Sequence, residues 1–262
     1  MSQPRLSVVI VAYNEADNIR ACLDSVAWAE QRVVVDSGST DGTVDIARTA
    51  GAEVLSTDWP GFGPQKNRAI QQARGRWVLS IDADERVTPE LRAQIEDALS
   101  SADASIGAFE LPRRSSFCGH WMAHGGWWPD HVTRLFRNGS ARFSDDAVHE
   151  RLLVDGNIGR LSQPLLHYTY RTLEQALQKL DRYSTLGARQ AFAAGKRATP
   201  LTAIARGGWA FFRTYFLRLG LLDGWAGLML AAYNGHTTYY RYLKLWLLCR
   251  GATQSGSGQH LS

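Results

Sequence analysis

Trp77-Val78-Leu79-Ser80-Ile81-Asp82-Ala83-Asp84 is the stretch from which the rest of the chain can be read. An apolar run ends abruptly in two carboxylates at i and i+2. The run has the character of a buried strand, and the spacing projects both carboxylates from one side of extended chain. Two hard oxygen ligands at a strand end suit Mg²⁺ or Mn²⁺, which keeps waters and completes its shell with substrate phosphates. Taken alone, the same pair also fits a solvated turn, so its neighbours have to decide.

Upstream, strand-like and helix-like segments alternate. Leu6 to Ala12 reads as a buried strand, followed by a helix from Asn14 to about Trp28. Val33-Val34-Val35 is a second buried strand ending at Asp36. The loop Ser37-Gly38-Ser39-Thr40-Asp41-Gly42 then feeds a helix to Ala50, with Gly51 as its stop. Glu53-Val54-Leu55 is a short third strand, and Pro64 to Arg74 a third helix stopped by Gly75. Downstream of the carboxylates, Thr88-Pro89-Glu90 opens a helix with a good N-cap and proline at its first position. This alternation predicts a doubly wound α/β fold with a mostly parallel, Rossmann-like sheet covered on both faces. Ligands of such sheets bind at the carboxyl ends of the strands.

From about Phe109 to Thr169 the pattern turns irregular and strand-like. Helices follow over Thr172 to about Gly195, Leu201 to about Leu222 and Trp225 to Leu248, with a capping box at Thr172 and Gln175. The expected organisation is an α/β domain over 1–170, a helical region over 171–250 and a flexible tail over 251–262.

The chain has 262 residues and a net charge of +4, unevenly spread. Residues 1–150 carry 15 basic and 21 acidic side chains, whereas residues 151–262 carry 14 and 4. Leu201–Leu222 interleaves Arg206, Arg213 and Arg218 with aromatic and leucine side chains. Such a segment either packs as ordinary core or meets a membrane interface, where apolar groups enter the headgroup layer and arginine meets anionic lipid. Three arginines argue against a transmembrane span. Nucleic acid is not expected as a partner, because these charges alternate with Leu and Phe and no reading motif is present. Cys22, Cys118 and Cys249 read as reduced thiols, and the first residues carry no export signal.

Three other strand and helix ends are polar. Ala12-Tyr13-Asn14-Glu15 follows the first strand; Asn14 and Glu15 also suit a plain helix start. Asp36 to Gly42 follows the second, where turn chemistry alone would explain the glycines. Gln65-Lys66-Asn67-Arg68 puts cations near a helix start, which is unfavourable unless an anion sits there. Gathered on one sheet edge, these pieces suit a nucleoside diphosphate with a metal. His120 and His124 stand four apart, but Trp121 occupies the place of the glutamate that a zinc protease needs, and the G-x-x-x-x-G-K-[ST] phosphate loop is absent.

The spacing of Val-Val-Ile-Val-Ala-Tyr-Asn-Glu (8–15), Val-Val-Asp-Ser-Gly-Ser-Thr-Asp-Gly-Thr (34–43), Gln-Lys-Asn-Arg-Ala (65–69) and Ile-Asp-Ala-Asp-Glu (81–85) resembles the inverting glycosyltransferases of family 2, with a GT-A type α/β domain. The resemblance implies a uridine pocket lined by Ala12, Tyr13 and Glu15, with Asp36 holding the uracil. Lys66 and Arg68 would approach the diphosphate, and Asp84 would lead metal binding with Asp82 assisting. Gly-Gly-Trp-Trp-Pro-Asp (125–130), Arg-Leu-Phe-Arg (134–137) and Asp-Asp-Ala-Val-His-Glu (145–150) resemble the branch that adds glucose to a heptose of the lipopolysaccharide inner core. The family usually has an acidic pair whose second member is the base; here the dipeptide is His149-Glu150, so only Glu150 carries over and the role of His149 stays open. Asp130 is the second candidate base. His167 could reach the metal or sit as an ordinary strand histidine, and Arg113, Arg114, Arg134 and Arg137 could face an anionic acceptor. The implied protein is a Mg²⁺- or Mn²⁺-dependent transferase of a UDP-sugar, UDP-glucose first, acting on a lipid-linked core heptose from the inner face of the cytoplasmic membrane. A polyprenyl-linked or capsular acceptor is the alternative. Nucleotidyl transfer would need glycines and cations directly after the first strand, and a binding module would not need metal pair and carboxylate together.

Overall fold

The structure, a computed structural model, describes residues 3–144 and 151–257. The chain divides into two compact units. The first comprises Met1–Arg114 with Pro129–His167, and the second Ser115–Trp128 with Tyr168–Ser262.

Unit 1 opens with β1 (Leu6–Ala12), α1 (Ala16–Ser25), β2 (Gln31–Asp36), α2 (Thr43–Thr49), β3 (Glu53–Ser56), α3 (Phe62–Gln71), β4 (Trp77–Asp82), β5 (Glu85–Val87) and α4 (Pro89–Ser101). The four strands β3, β2, β1 and β4 lie side by side in that order and all pair parallel. Alternate residues serve opposite faces, as the two-residue period of a strand requires. Leu6, Val8 and Ile10 of β1 and Leu79 and Ile81 of β4 join Ile19, Cys22 and Leu23 of α1 and Leu91 and Ile95 of α4 in one cluster. Val9, Val33, Val35 and Val78 face the other way, onto Ala69 of α3. A sheet buried on both faces is the reason the strands read as continuous apolar runs, and the expected doubly wound α/β arrangement is what is observed.

The sheet is mixed rather than parallel throughout. Next in the chain come β6 (Ile106–Phe117), β7 (His120–Trp121), β8 (Asp130–Arg137), β9 (Ala141–Phe143), β10 (Leu152–Val154), β11 (Asn157–Arg160) and β12 (Leu165–Tyr170). β8 pairs antiparallel with β4, and β6 antiparallel with β8. β5, too short to be noticed in the sequence, pairs antiparallel with β12, so that His167 lies opposite Glu85.

Two expected boundaries move. α3 begins at Phe62 and ends at Gln71, short of Gly75. Gly75 is not a helix stop but a point of close approach: a Cβ there would lie 2.6 Å from the backbone nitrogen of Ser7. Its N–H donates to Ser7 Oγ at 2.8 Å, and that hydroxyl donates in turn to Gln31.

In unit 2, Phe117 and Met122 pack with Trp127, Tyr170, Ala226, Leu230 and Tyr233. The Tyr170 and Tyr233 hydroxyls are 2.9 Å apart. The helices are α5 (Leu173–Ala193), α6 (Pro200–Phe212) and α7 (Gly224–Ser257). α6 and α7 approach closely at Gly207 and Gly235; a Cβ on Gly207 would sit 2.8 Å from the Cβ of Tyr239. The helix expected over Leu201 to Leu222 is interrupted. A π-helical turn (Arg213–Leu217) and a 3₁₀ turn (Gly220–Asp223) form an elbow before α7. The Arg218 carbonyl accepts from the Gly125 N–H at 2.8 Å instead of continuing a helix, and Leu219 adopts φ +56°. Asp223 then accepts from the His124 N–H at 2.8 Å and from the His124 ring at 2.9 Å, so His124 is engaged by a carboxylate. Among the described residues no helix is long and apolar enough to cross a membrane.

Candidate active site

Parallel pairing puts the strand ends level. Ala12 stands beside Asp36, and Val11 beside Asp82. The loops leaving β1 and β2 are joined by their own polar groups. The Asn14 N–H donates to Ser39 Oγ (2.8 Å), and Asn14 Oδ1 accepts from the Thr40 N–H (2.9 Å). The Glu15 N–H donates to Thr43 Oγ1 (2.8 Å), and the Ala16 N–H to Asp41 Oδ2 (3.0 Å). The start of α1 is thus capped by Asp41 of the neighbouring loop, not by Asn14 or Glu15. Burial works against the Asp41 charge, but the bonds from Thr43 and Ala16 together outweigh it and hold its carboxyl below the usual range. Asn14 takes φ +54°, a left-handed conformation that asparagine tolerates better than most residues.

Asp36 is buried and accepts the N–H groups of Gly38 and Ser39, both at 2.9 Å, on Oδ2. Ser39 Oγ donates to its Oδ1. Its first task is therefore to shape the loop, although a carboxylate has acceptor sites beyond these three. Tyr13 is exposed, and Glu15 Oε2 accepts from Asn18 at 2.7 Å.

The four polar residues opening the middle of α3 each do something different. Gln65, fully buried, donates to Ser37 Oγ and Thr57 Oγ1. Lys66 is buried with Nζ 3.4 Å from Asp82 Oδ1 and 5.1 Å from the centre of the Phe143 ring. Asn67 exchanges two hydrogen bonds with the backbone of Phe143. Arg68 pairs with the exposed Asp58 at 2.7 Å.

The carboxylates of β4 and its turn are treated unequally. Asp82 receives Lys66 on Oδ1 and Arg134 Nη2 on Oδ2 at 2.6 Å. Burial alone would raise the Asp82 carboxyl; the charges of Arg134 and Lys66 outweigh it and hold the group well below the ordinary carboxylate range. Arg134 also reaches the fully buried Glu85 at 2.8 Å. Burial opposes its charge, but Asp82 and Glu85 more than compensate and raise its pKa further. Glu85 Oε2 accepts the Asp82 N–H at 2.9 Å, so the same glutamate holds both the arginine and the strand end. Arg134 Nε is the one buried side-chain polar atom without a partner among the described residues.

Asp84 faces elsewhere: its Oδ2 lies 3.4 Å from His167 Nε2, and both side chains are largely buried. The β5–β12 pairing produces this meeting across 83 positions of sequence. A carboxylate oxygen and an imidazole nitrogen at that separation fit adjacent positions around one divalent cation, the remaining ligands being waters and phosphate oxygens. Asp82, already neutralised by two cations, is a weaker candidate ligand. Among the described residues no three His, Cys, Asp or Glu side chains form a metal-binding group.

Of the arginines expected near an acceptor, Arg134 is instead buried in the carboxylate network and Arg113 links two carboxylates. Arg113 donates to Asp130 Oδ2 through Nε (2.9 Å) and Nη2 (2.6 Å) and lies 3.5 Å from Glu85. Arg137 stacks 4.5 Å over Trp77 and donates to the carbonyl oxygens of Ile106, Ala102 and Asp103. Arg114 is exposed. His149 and Glu150 lie outside the described residues. Sequence reasoning missed Glu85, Gln65 and Asn67 as organisers. Their signal was present, a glutamate directly after the Asp pair and polar residues at buried helix positions, but only pairing distances assign them.

Residues 7–198 match the model of the family described as Glycosyl transferase family 2. The lipopolysaccharide core biosynthesis glycosyltransferase LpsC of Rhizobium meliloti (strain 1021) is 32% identical over 223 residues, 80% of this chain and 80% of its own. An uncharacterized glycosyltransferase of Rickettsia bellii (strain RML369-C) is 27% identical over 96% of this chain and 90% of its own. Among solved structures, S. aureus TarS 1–349 in complex with UDP is 16% identical with a TM-score of 0.49, covering 95% of this chain and 92% of that one.

Proposed function

Because the chain belongs to glycosyl transferase family 2, we propose that it moves glucose from UDP-glucose onto a heptose of the lipopolysaccharide core, inverting the anomeric carbon. The observation that carries this reading is the division of labour at the end of β4. Asp82 is neutralised by Lys66 and Arg134, while Asp84 meets His167 at 3.4 Å. That arrangement suits a donor whose pyrophosphate supplies the other metal ligands. The similarity to LpsC supports the core acceptor.

In this reading Ala12, Tyr13 and Glu15 border the uridine, and Asp36 accepts from the uracil through a lone pair its loop leaves unused. Lys66 and Arg68 stand toward the diphosphate. Asp84 and His167 would hold Mg²⁺ or Mn²⁺, with Asp82 assisting, and a cation so held would offset charge on the departing diphosphate. The acceptor hydroxyl attacks the anomeric carbon from the face opposite the leaving group, and Glu150 takes its proton. Asp130 is the weaker candidate base, because its Oδ2 already accepts two N–H bonds from Arg113, which leaves less of the carboxylate open to an acceptor hydroxyl. The site of action is the inner face of the cytoplasmic membrane, with the chain attached peripherally.

The test pairs binding with turnover. Calorimetry should register UDP binding that depends on Mn²⁺ and is lost in Asp84→Asn. A screen of UDP-sugars with truncated core oligosaccharides should give transfer from UDP-glucose. Glu150→Gln should bind UDP normally and turn over at least about 10²-fold more slowly, the usual contribution of a general base. Absence of any UDP and Mn²⁺ binding to the folded chain would overturn the reading.

A further inference from the structure

Helix α6 is apolar on the side a water-soluble protein keeps polar. Its inward stripe is Ala203, Gly207 and, two residues beyond the helix in the π-helical turn, Thr214, all buried. On the opposite side, at steps of four, four, three and four, stand Leu201, Ala205, Trp209, Phe212 and Phe216. Leu201 is 73% exposed and Trp209 51%. The rings continue the stripe: Trp209 and Phe212 lie 5.9 Å apart and Phe212 and Phe216 5.1 Å apart. The elbow then adds Leu217, Leu219, Leu221 and Leu222, each more than 40% exposed, and Trp225 at 59%. Leu219 holds a left-handed backbone conformation with its side chain outward, so an unfavourable geometry presents an apolar group to the outside.

The charges on this surface have one sign. Asp223 is the only acidic residue after Asp181, and it is buried against His124. Arg206, Arg213 and Arg218 are exposed, and among the described residues none of the three is in an ion pair with a carboxylate. Partial burial, and after it the nearby charge of Arg213, lower the Arg218 pKa. Two uncompensated like charges beside exposed leucine and tryptophan call for an anionic partner with an apolar interior. A protein partner would meet the leucines but would have to bring its own carboxylates to each arginine, whereas an anionic bilayer offers both over any contour.

We propose that the outer stripe of α6 and the elbow over residues 213–225 form the membrane-seating surface of this protein, with Leu217, Leu221, Leu222 and Trp225 entering the acyl boundary and Arg213 and Arg218 binding anionic headgroups. The proposal rests on the peripheral attachment inferred above and specifies which residues provide it.

Co-sedimentation of the full chain with phosphatidylcholine vesicles, with and without phosphatidylglycerol, tests it at low and high salt. The wild type should pellet with the anionic vesicles and bind less to the neutral ones or at high salt. Leu221→Ser/Leu222→Ser should lower the partition coefficient at least about tenfold. Arg213→Gln/Arg218→Gln should abolish the preference for anionic lipid, and Leu173→Ser/Leu177→Ser, on exposed leucines of α5, should bind like wild type. Circular dichroism and the UDP and Mn²⁺ calorimetry should be unchanged in all three, which separates loss of seating from loss of fold. Wild-type binding that the elbow substitutions leave intact would overturn the assignment of the surface alone. No vesicle binding by wild type would overturn peripheral attachment, and the assignment with it. A dimer in sedimentation velocity that Leu221→Ser/Leu222→Ser dissolves would make this face a contact between copies and also refute the proposal.

Discussion

Arg134 offers the sharpest test of how the site is built. Its guanidinium is buried and shares one nitrogen between Asp82 Oδ2 at 2.6 Å and Glu85 Oε1 at 2.8 Å. Truncation in Arg134→Met leaves a fully buried glutamate whose nearest remaining cation is Arg113 at 3.5 Å, and an aspartate that keeps only Lys66 at 3.4 Å. Removing one partner from a buried ion pair typically costs about 3–5 kcal/mol, because the uncompensated charge stays in place. The expected loss for Arg134→Met, by urea denaturation at neutral pH, is therefore about 3–5 kcal/mol. Glu85→Gln should also destabilise, since the amide cannot balance the arginine. The double variant should lose less than the sum of the two, with a coupling of roughly 1–3 kcal/mol, within the range for residues in one network. Arg134→Lys should fall between, keeping the charge on a shorter side chain whose ammonium does not reproduce the placement of the planar guanidinium. Strict additivity of Arg134→Met and Glu85→Gln, or a cost for Arg134→Met below about 1 kcal/mol, would refute the idea that this arginine is the electrostatic keystone of the β4 edge.

Three further outcomes are expected. His167→Ala should weaken Mn²⁺-dependent UDP binding by about 10- to 100-fold in calorimetry while metal-independent UDP affinity stays unchanged; equal affinity with metal would remove His167 from the site. Phe117→Ala, at the centre of the Trp127–Tyr170–Tyr233 cluster, should cost about 3–5 kcal/mol in the same denaturation assay. Asp41→Ala should cost about 1 kcal/mol near neutrality through loss of the α1 cap. Because the folded Asp41 carboxyl lies below its usual value, its contribution is present above the ordinary aspartate range and fades as pH falls through the folded value, so the gap to wild type should narrow in acid; a gap independent of pH would contradict the capping role.

What the linear chain determined was everything with a local cause. The apolar runs of β1, β2 and β4 and the polar residues that end them specify buried parallel strands with polar tips, since a strand covered on both faces must be apolar and its loop must satisfy its own backbone. Thr88-Pro89 marked the start of α4, where Thr88 Oγ1 does accept the Leu91 N–H. The composition of Leu201–Leu222 flagged an unusual surface. Other features depended on residues far apart meeting. Three residues of β5 carry too little pattern to announce a strand, yet their pairing with β12 brings His167 to Asp84. The motif resemblance ranked Asp84 above Asp82 as a metal ligand, but the partners of each come from packing, which sets Lys66 and Arg134 against Asp82. The break after Phe212 likewise comes from Gly125 capturing the Arg218 carbonyl, a bond between segments about ninety positions apart. Local propensity specifies elements and their ends, whereas the charge state and partners of a buried group are set by whatever the fold brings within a few ångströms of it.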